Sequence, residues 1–136
     1  MTQEDKELLI LKDLCARLPY GVKVRCDFGL DGEITEISRT KNNLYYCKYL
    51  DCKEGYCYIE SLKPYLFPLS SMSETQCYEL AAIRSGFQDC WKYIKTPIPL
   101  SICNFEQIDW FHKNHFDYRG LIEKGLALDA TNLNIY

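Results

Sequence analysis

The sequence predicts one domain of mixed α+β type over residues 1–136, and three patterns support this prediction. A helical apolar spacing opens the chain, four short segments of alternating apolar and polar residues follow, and two capping-box signals mark helices in the second half. The composition, 47% hydrophobic and 26% charged over 136 residues, is typical of a globular domain. We expect a helix over residues 1–19, a β-rich part over 20–70 and a mainly helical part over 71–136.

The first helix is predicted over residues 2–18. Thr2 can cap its N-terminus, Asp5 lies in the first turn, where a carboxylate is favourable, and Pro19 ends it. Four residues at helical spacing form the predicted apolar stripe: Leu8, Leu11, Cys15 and Leu18.

Four strands are predicted over residues 22–28, 33–38, 44–50 and 56–62, and turn-forming residues separate them. Short strands with tight connections favour a small antiparallel sheet that closes as an SH3-like barrel or a strongly bent meander, because closure hides the sheet edges. The two prolines of residues 63–69 predict a segment that crosses the barrel and is not a central strand. Leu66 and Phe67 are expected to pack into the barrel.

Two helices in the second half are predicted from capping boxes at residues 73–76 and 104–107. The first should bury Cys77, Leu80 and Ala81 and end at Gly86, and residues 88–95 are compatible with either a helix or a strand. Along one side of the second helix we expect Phe105, Ile108, Phe111 or His112, and His115. Asp117 is expected to cap a last short helix that runs through Lys124 and ends at Gly125.

The charge pattern limits the classes of partner. Sixteen Lys and Arg residues against nineteen Asp and Glu residues give a net charge of −3, and the two signs are mixed along the chain. A protein that binds nucleic acid through its backbone needs a concentrated basic face, so the sequence argues against a nucleic-acid partner. The polar start and the lack of an apolar run near ~18 residues predict a cytoplasmic protein with no membrane partner.

The cysteine and histidine spacings do not favour a metal site. The eight cysteines contain no Cys-x-x-Cys pair, and the five-residue steps from Cys47 to Cys57 do not match zinc-binding spacing. We expect reduced thiols that act as small hydrophobes, with a metal site or redox chemistry as alternatives. Asp109, His112 and His115 are three residues apart, whereas helical metal ligands prefer a spacing of four. A half-buried histidine bonded to a neighbour is favoured over zinc binding, and no metal or cofactor is predicted.

The tyrosines are the most informative residues. Of the eleven in the chain, six lie between residues 45 and 65. Alternation along the strands puts Tyr45 and Tyr49 on one face and Tyr46 on the other, whereas Tyr56 and Tyr58 share a face. Tyrosine suits protein interfaces and base stacking, although these rings can also simply cover a small barrel. An exposed aromatic patch also predicts self-association as a homo-oligomer.

The candidate ligand-binding residues combine rings for stacking with cations for phosphate. The rings are Tyr45, Tyr49, Tyr56 and Tyr58. The cations are Arg39, Lys48, Lys63 and Arg119, the last of which follows a predicted helix start, where backbone N–H groups favour anions. No catalytic residue is assigned, because the sequence has no Gly-x-Ser-x-Gly elbow, phosphate-cradling glycine loop or Rossmann fingerprint.

Three segments of the sequence form a recognisable set: LKDLCARLPYGV at residues 11–22, KPYLFPLSSM at 63–72 and HFDYRGLIEKGLAL at 115–128. Together they resemble a family of small proteins carried by phages and mobile elements of Bacteroidales bacteria. The resemblance implies no established activity, cofactor or catalytic residue. It does imply a setting, the cytoplasm of a bacterial host cell, in which small accessory proteins often counter host defence.

These observations predict a non-enzymatic, phage-type accessory binding protein. The first hypothesis is a counter-defence protein that sequesters a nucleotide-derived immune signal, such as a cyclic nucleotide or an ADP-ribose derivative. The second is a protein–protein inhibitor or adaptor that acts on a host protein and uses the same tyrosines as hot spots. The third is a small hydrolase that acts on a nucleotide signal.

Overall fold

The computed structural model describes residues 1–41, 44–49, 56–83 and 103–136. Within these ranges the chain is of mixed α+β type, as predicted, with an N-terminal helix, small antiparallel sheets and further helices. None of the helices in these ranges has the length and apolar character needed to cross a membrane. The expectations for Gly86 and residues 88–95 lie outside the described residues, as do Cys52 and Cys90.

Helix α1 covers Gln3–Arg17, and Thr2 is its N-cap as predicted. Thr2 Oγ1 accepts the N–H of Asp5, and the Asp5 carboxylate accepts the N–H of Thr2, both at 3.1 Å, which is a capping box. A 3-10 turn over Leu18–Tyr20 contains Pro19 and ends the helix. The predicted start and end of α1 are therefore confirmed.

The buried stripe of α1 differs from the predicted one. The buried residues are Ile10, Asp13, Leu14 and Arg17, whereas Leu8 is half exposed and Cys15 is exposed. The observed residues also recur at helical spacing, but two of them are charged, so an apolar pattern does not reveal them. Leu11 and Leu18 pack against the core as predicted, whereas the prediction was wrong for Leu8 and Cys15. Asp13 and Arg17 occupy buried positions of α1 instead, because they neutralise each other there.

Seven short strands in the described ranges form two sheets. In the first sheet the order is β2 (Asp31–Glu33), β1 (Lys23–Cys26), β6 (Leu62–Leu66) and β7 (Leu128–Asp129), and only the β6–β7 pair is parallel. In the second sheet the order is β3 (Glu36–Arg39), β4 (Tyr45–Lys48) and β5 (Tyr56–Tyr58), all antiparallel. The described strands do not close into a barrel.

Two of the predicted strands are broken where the chain passes between the sheets. Ile34 donates its N–H to Val22 O in the first sheet, and Thr35 donates to Lys48 O in the second. A 3-10 turn over Ile59–Ser61 separates β5 from β6 in the same way. The chain changes sheets at these two corners, and this leaves two joined sheets in place of the predicted closed barrel.

The segment predicted to cross the barrel is in fact strand β6, which lies between β1 and β7. Asp27 donates its N–H to Ser61 O, so these two residues form a hydrogen-bonded pair at the end of the β1–β6 ladder. Hydrogen-bonded and non-hydrogen-bonded pairs alternate along an antiparallel ladder, and Val24 and Pro64, three pairs away, therefore form a non-hydrogen-bonded pair. The Pro64 nitrogen therefore faces away from β1, and β7 begins its pairing only at Tyr65. A central position for this strand is possible because no ladder bond needs an N–H from Pro64.

Two hydrophobic clusters form the described core. The first lies between α1 and the two sheets and includes Ile10, Leu14, Val24, Cys47 and Leu66. The second packs helices α2 (Glu74–Ile83) and α3 (Phe105–Lys113) together and includes Leu69, Cys77, Leu80, Phe111, Phe116 and Tyr118. Leu66 is buried as expected, but Phe67 packs against this second cluster.

Both predicted capping boxes are present. Ser73 and Gln76 exchange hydrogen bonds at the start of α2, and Asn104 and Gln107 do so at the start of α3. Gln107 is buried and its amide also donates to Leu80 O at 3.3 Å, which joins α3 to α2. Of the side predicted for α3, Ile108 is half-buried and Phe111 and His112 are buried, but Phe105 is 91% exposed and His115 lies beyond the helix end.

The last predicted helix is wrong, because residues 118–127 form turns and bends. The Asp117 carboxylate accepts the N–H groups of Leu121 at 2.8 Å and Ile122 at 2.9 Å, four and five residues later, whereas a helix N-cap accepts from the residue two or three positions later. Leu126 then donates to Leu121 O and Gly125 to Ile122 O, and Gly125 has a φ of 73°. These two bonds form a helix-ending motif. The bonds of Asp117 and the helix-ending bonds of Gly125 and Leu126 all involve Leu121 and Ile122, so no residues are left between them to form a helix.

A buried ion pair joins the two clusters. Arg17 and Asp13 are fully buried, and Arg17 Nε lies 2.9 Å from Asp13 Oδ2. The other guanidinium nitrogens of Arg17 donate to the carbonyls of Phe111 at 3.2 Å and Phe116 at 2.6 Å. Arg119 contacts the second oxygen of Asp13 at 3.2 Å. The pair therefore fixes α1 against the end of α3 and the turn that follows it.

We predict that Asp13→Asn lowers the free energy of unfolding by about 3–5 kcal/mol, because it leaves the Arg17 charge buried without its partner. Asp31→Asn is the matched control, since Asp31 pairs with Arg25 where both side chains are about half exposed. Exposed pairs contribute up to about 1 kcal/mol. Urea unfolding measures both, and equal losses for the two variants would contradict the prediction.

His115 holds the C-terminal segment against the first sheet. Its buried ring stacks on the Tyr136 ring with centroids 3.8 Å apart. The Tyr136 hydroxyl accepts the N–H of Lys23 and donates to Tyr65 O, both at 2.8 Å. Among the described residues, none hydrogen-bonds to His115 Nδ1. Burial lowers the pKa of His115 to about 4, and the charges of Arg17 and Lys23 act in the same direction.

We predict that acid weakens this attachment. The pKa of His115 is about 4 in the folded chain against an ordinary value of 6.5, so the folded state disfavours the proton. The contribution is complete above pH 6.5 and is lost as the pH falls towards 4, by roughly 3 kcal/mol. Unfolding measured across this window tests it, with His115→Asn as the comparison, because Asn tolerates the left-handed backbone at this position. An equally steep pH dependence in the variant would contradict the assignment to His115.

Candidate functional site

The candidate site lies on the outer face of the second sheet. We call it the tyrosine face and define it by Tyr46 and Lys48 on β4 and by Tyr56 and Tyr58 on β5. Tyr46 pairs with Tyr58 and Lys48 pairs with Tyr56 across the two strands. Thr40 donates its N–H to Leu44 O, so the backbone groups of Leu44, and by alternation those of Tyr46 and Lys48, point towards β3. Tyr46 and Lys48 therefore form non-hydrogen-bonded pairs with the β5 residues opposite them. Side chains approach most closely in pairs of this kind.

The rings of the tyrosine face contact one another and a cation. The Tyr46 and Tyr56 rings meet edge to face with centroids 5.6 Å apart. Lys48 Nζ lies 5.8 Å from the centroid of the Tyr56 ring, within the range of a cation–π contact. Tyr56 is 44% exposed and Tyr58 is 49% exposed, so both present ring surface to solvent. Among the described residues, no hydrogen bond is made by the hydroxyl of either ring.

A cavity opens on this face. It has a volume of about 410 Å³ and is lined by Thr40, Tyr46, Tyr56, Cys57 and Tyr58. Small-molecule sites usually measure roughly 300–1,000 Å³ and are mostly apolar with a few polar groups. Three phenol hydroxyls, the Thr40 hydroxyl and the adjacent Lys48 ammonium supply polar groups here. The arrangement can stack a planar ring and hold a negative charge beside it.

Only three of the eight sequence-predicted residues lie together on this face: Lys48, Tyr56 and Tyr58. Tyr49 is buried in the first cluster, and Tyr45 packs against that cluster, because alternation turns both towards α1. Arg39 pairs with Tyr45 at the exposed end of β3 and so has the same orientation. The predicted set thus includes side chains from both faces of the sheet. A binding role for Tyr45, Tyr49 and Arg39, which lie on the core side, stays a prediction.

The remaining two cations lie elsewhere in the fold. Lys63 is exposed on β6 of the first sheet, opposite Arg25. Arg119 pairs with the buried Asp13, and its guanidinium carbon lies 4.9 Å from the centroid of the Tyr118 ring. Since no helix starts at Asp117, Arg119 does not have the helix N-terminus on which its assignment depended.

The Asp-x-x-His-x-x-His motif does not converge on one point. Asp109 accepts a 2.6 Å hydrogen bond from the Tyr20 hydroxyl, and His112 Nε2 bonds to the Tyr118 hydroxyl, also at 2.6 Å. His115 stacks on Tyr136 on the other side of the turn. In the described ranges no three His, Cys, Asp or Glu side chains are placed to hold a metal ion. The structure gives His112 the neighbour-bonded role that the spacing favoured.

Four of the described cysteines are free thiols: Cys15, Cys26, Cys47 and Cys57. Cys47 and Cys57 face each other across β4 and β5 on the core side. Burial raises the pKa of Cys47 to about 12, and burial also raises the pKa of Cys57. Thiols with a raised pKa carry little thiolate and are poor nucleophiles. This pair therefore packs the sheet and does not supply a reactive group.

Tyr46 is the residue that the sequence selection missed. Its alternation with Tyr45 was visible, but the choice between the two faces required the pairing of β4 with β5. The available signal was Lys48, which has the same orientation as Tyr46 and was selected.

Searches of protein-family models, curated proteins and solved structures find no match to this chain.

Proposed function

We propose that this chain is a non-enzymatic binding protein that holds a nucleotide-derived ligand on the tyrosine face. The observation that carries the proposal is the Lys48 ammonium above the Tyr56 ring, at the edge of a cavity lined by three tyrosines. A phage-type accessory protein that sequesters an immune signal is the setting that the sequence resemblance predicts, and the proposal adopts it.

The aromatic lining supports a ligand with a planar base. Stacking of a base on a protein ring contributes about 1–3 kcal/mol and tolerates different bases, because every base has a π face. Tyr56 and Tyr58 present roughly half of their surface to solvent, so neither has to be uncovered before it stacks. The cavity of about 410 Å³ is large enough for a base and part of its sugar.

The charge on the face supports an anionic group next to the base. Lys48 is half-buried, and its ammonium is positioned over an aromatic ring. A lysine is a compact cation that binds phosphate as a point charge, whereas arginine binds it through two parallel hydrogen bonds. A ligand held here therefore places one phosphate near Lys48 and its remaining charge towards solvent.

The proposal includes an SH3-like arrangement for residues 20–70. Three features support it: the passage between sheets at Ile34 and Thr35, the 3-10 turn over Ile59–Ser61, and the pairing of β6 with β1. Proteins with this arrangement bind through exposed aromatic surfaces. The tyrosine face is such a surface.

A protein–protein inhibitor or adaptor is the second candidate function. The favouring observation is that Tyr56 and Tyr58 stand exposed on an open sheet surface, where tyrosines commonly act as hot spots. A protein partner would cover the whole face and need no phosphate, and two copies of this chain could associate in the same way. Light scattering at micromolar concentration tests the self-association.

The nucleotide proposal predicts that Tyr56→Leu weakens binding by about tenfold or more, the loss of one stacking ring. The purified protein is titrated with cyclic dinucleotides, cyclic oligonucleotides and ADP-ribose derivatives by thermal shift and calorimetry. Tyr78→Leu is the matched control, because Tyr78 is 65% exposed on α2 and lies outside the tyrosine face. Lys48→Met should weaken binding as well, whereas Lys63→Met should not.

Heating the loaded protein separates the candidate functions. Release of the intact ligand supports sequestration, and release of an altered product means that the protein is an enzyme. If no nucleotide shifts the melting temperature, the nucleotide proposal is wrong and the protein-partner candidate leads. Equal effects of Tyr56→Leu and Tyr78→Leu would remove the tyrosine face from the site.

A further inference from the structure

A second, smaller cavity lies where α1 meets the second sheet. It has a volume of about 130 Å³ and is lined by Glu7, Leu44, Tyr45, Tyr58, Ile59 and Glu60. We call it the Glu7–Glu60 pocket. Glu7 comes from α1, and Ile59 and Glu60 come from the 3-10 turn that packs against this helix. The pocket is therefore built from three elements that the first hydrophobic cluster holds in place.

The charge of this pocket is opposite to that of the tyrosine face. Its two carboxylates, Glu7 and Glu60, form no ion pair with any described residue, and the described lining residues include no basic side chain. Glu7 Oε1 accepts a 3.2 Å hydrogen bond from the Gln3 amide, which is neutral. Within the part of the chain that the structure describes, the two carboxylates thus have no basic partner, and they repel an anionic ligand.

The remaining walls favour an organic cation over a bare metal ion. Tyr45, whose side chain lies on the α1 side of the second sheet, is among the lining residues, and Leu44, Tyr58 and Ile59 complete the wall. Alkylated ammonium groups bind to aromatic faces through the ring quadrupole and are stabilised further by nearby carboxylates. A divalent metal ion instead requires several oxygen ligands at short distance, and the described residues offer no cluster placed for that.

We propose that the Glu7–Glu60 pocket binds an alkylammonium group. One water molecule occupies about 30 Å³ of the liquid, so 130 Å³ accommodates a group about four water molecules in size, such as an ammonium with its methyl substituents. Tyr45 contacts the substituents, and Glu7 and Glu60 balance the charge. The inference goes beyond the proposed function, because the ligand has the opposite charge and lies in a different cavity.

The alkylammonium group can belong to a free small amine or to a lysine side chain of another protein. The shared chemistry is the cation with its short alkyl groups. Titration with choline probes the free amine, and titration with a short peptide that contains trimethyllysine probes the protein side chain. Tighter binding of the peptide assigns the site to a protein partner, and equal or weaker binding of the peptide assigns it to a small amine; both outcomes support the proposal.

The decisive comparison is between choline and 3,3-dimethylbutan-1-ol, which has the same shape without the charge. We expect choline to bind the purified full chain, measured by NMR titration, at least tenfold more tightly than the neutral alcohol. Glu60→Gln should weaken choline binding several-fold, whereas Glu123→Gln is the matched control on the exposed turn far along the chain and should not. Glu60 is exposed, so its replacement leaves the core intact.

Two results would overturn the proposal. One is equal binding of choline and the neutral alcohol, and the other is no binding of either choline or the trimethyllysine peptide. Lys48→Met distinguishes this failure from failure of the proposed function. It weakens nucleotide binding under that proposal but leaves choline binding unchanged, since Lys48 does not line the Glu7–Glu60 pocket.

Discussion

The ion pair between Arg17 and Asp13 is the interaction on which the packing of the two clusters depends. Removing two charges from water costs several kcal/mol per ion, and the cost is recovered only when the geometry is good and the remaining donors are satisfied. Here three guanidinium nitrogens have acceptors, on Asp13, Phe111 and Phe116, and Arg119 contacts the second oxygen of Asp13. The ion pair therefore connects the first cluster, which contains α1 and the sheets, with the second cluster, which contains α2 and α3.

The same ion pair belongs to a set of contacts between segments that lie far apart in the sequence. Arg17 belongs to residues 11–22, and its bond to Phe116 O reaches residues 115–128. Phe67, within residues 63–72, donates its N–H to His115 O and accepts from Asp117 N–H, both at 2.8 Å. These segments thus contact one another in the described interior. Both candidate binding cavities use β4, β5 and their neighbours, which lie outside these segments.

Local signals predicted the parts of the fold that depend on neighbouring residues in the chain. The caps at Thr2 and Asn104 are satisfied within one helical turn, so their residue types suffice to place them. The corner at Ile34 and the burial of Arg17 depend on distant partners. Apolar alternation continues through the corner, and a charged residue gives no apolar signal, so neither was visible in the sequence. Pro64 led to the wrong prediction that its segment is not a central strand. Whether a strand position needs an N–H depends on its pairing with β1 and β7, which the sequence does not show.

The sequence predicted which residue types form the candidate site, but it did not predict which individual residues lie together there. The tyrosine cluster indicated a binding surface, and alternation separated the two orientations, yet only the pairing of Tyr46 with Tyr58 showed which rings face solvent. Tyr58 lines both candidate cavities, one near the Lys48 ammonium and the other beside the Glu7 and Glu60 carboxylates. Under the two proposals, one residue therefore borders sites for ligands of opposite charge. An aromatic ring stacks on bases and on alkylated cations alike, so under these proposals the neighbouring charge, and not the ring, selects the ligand.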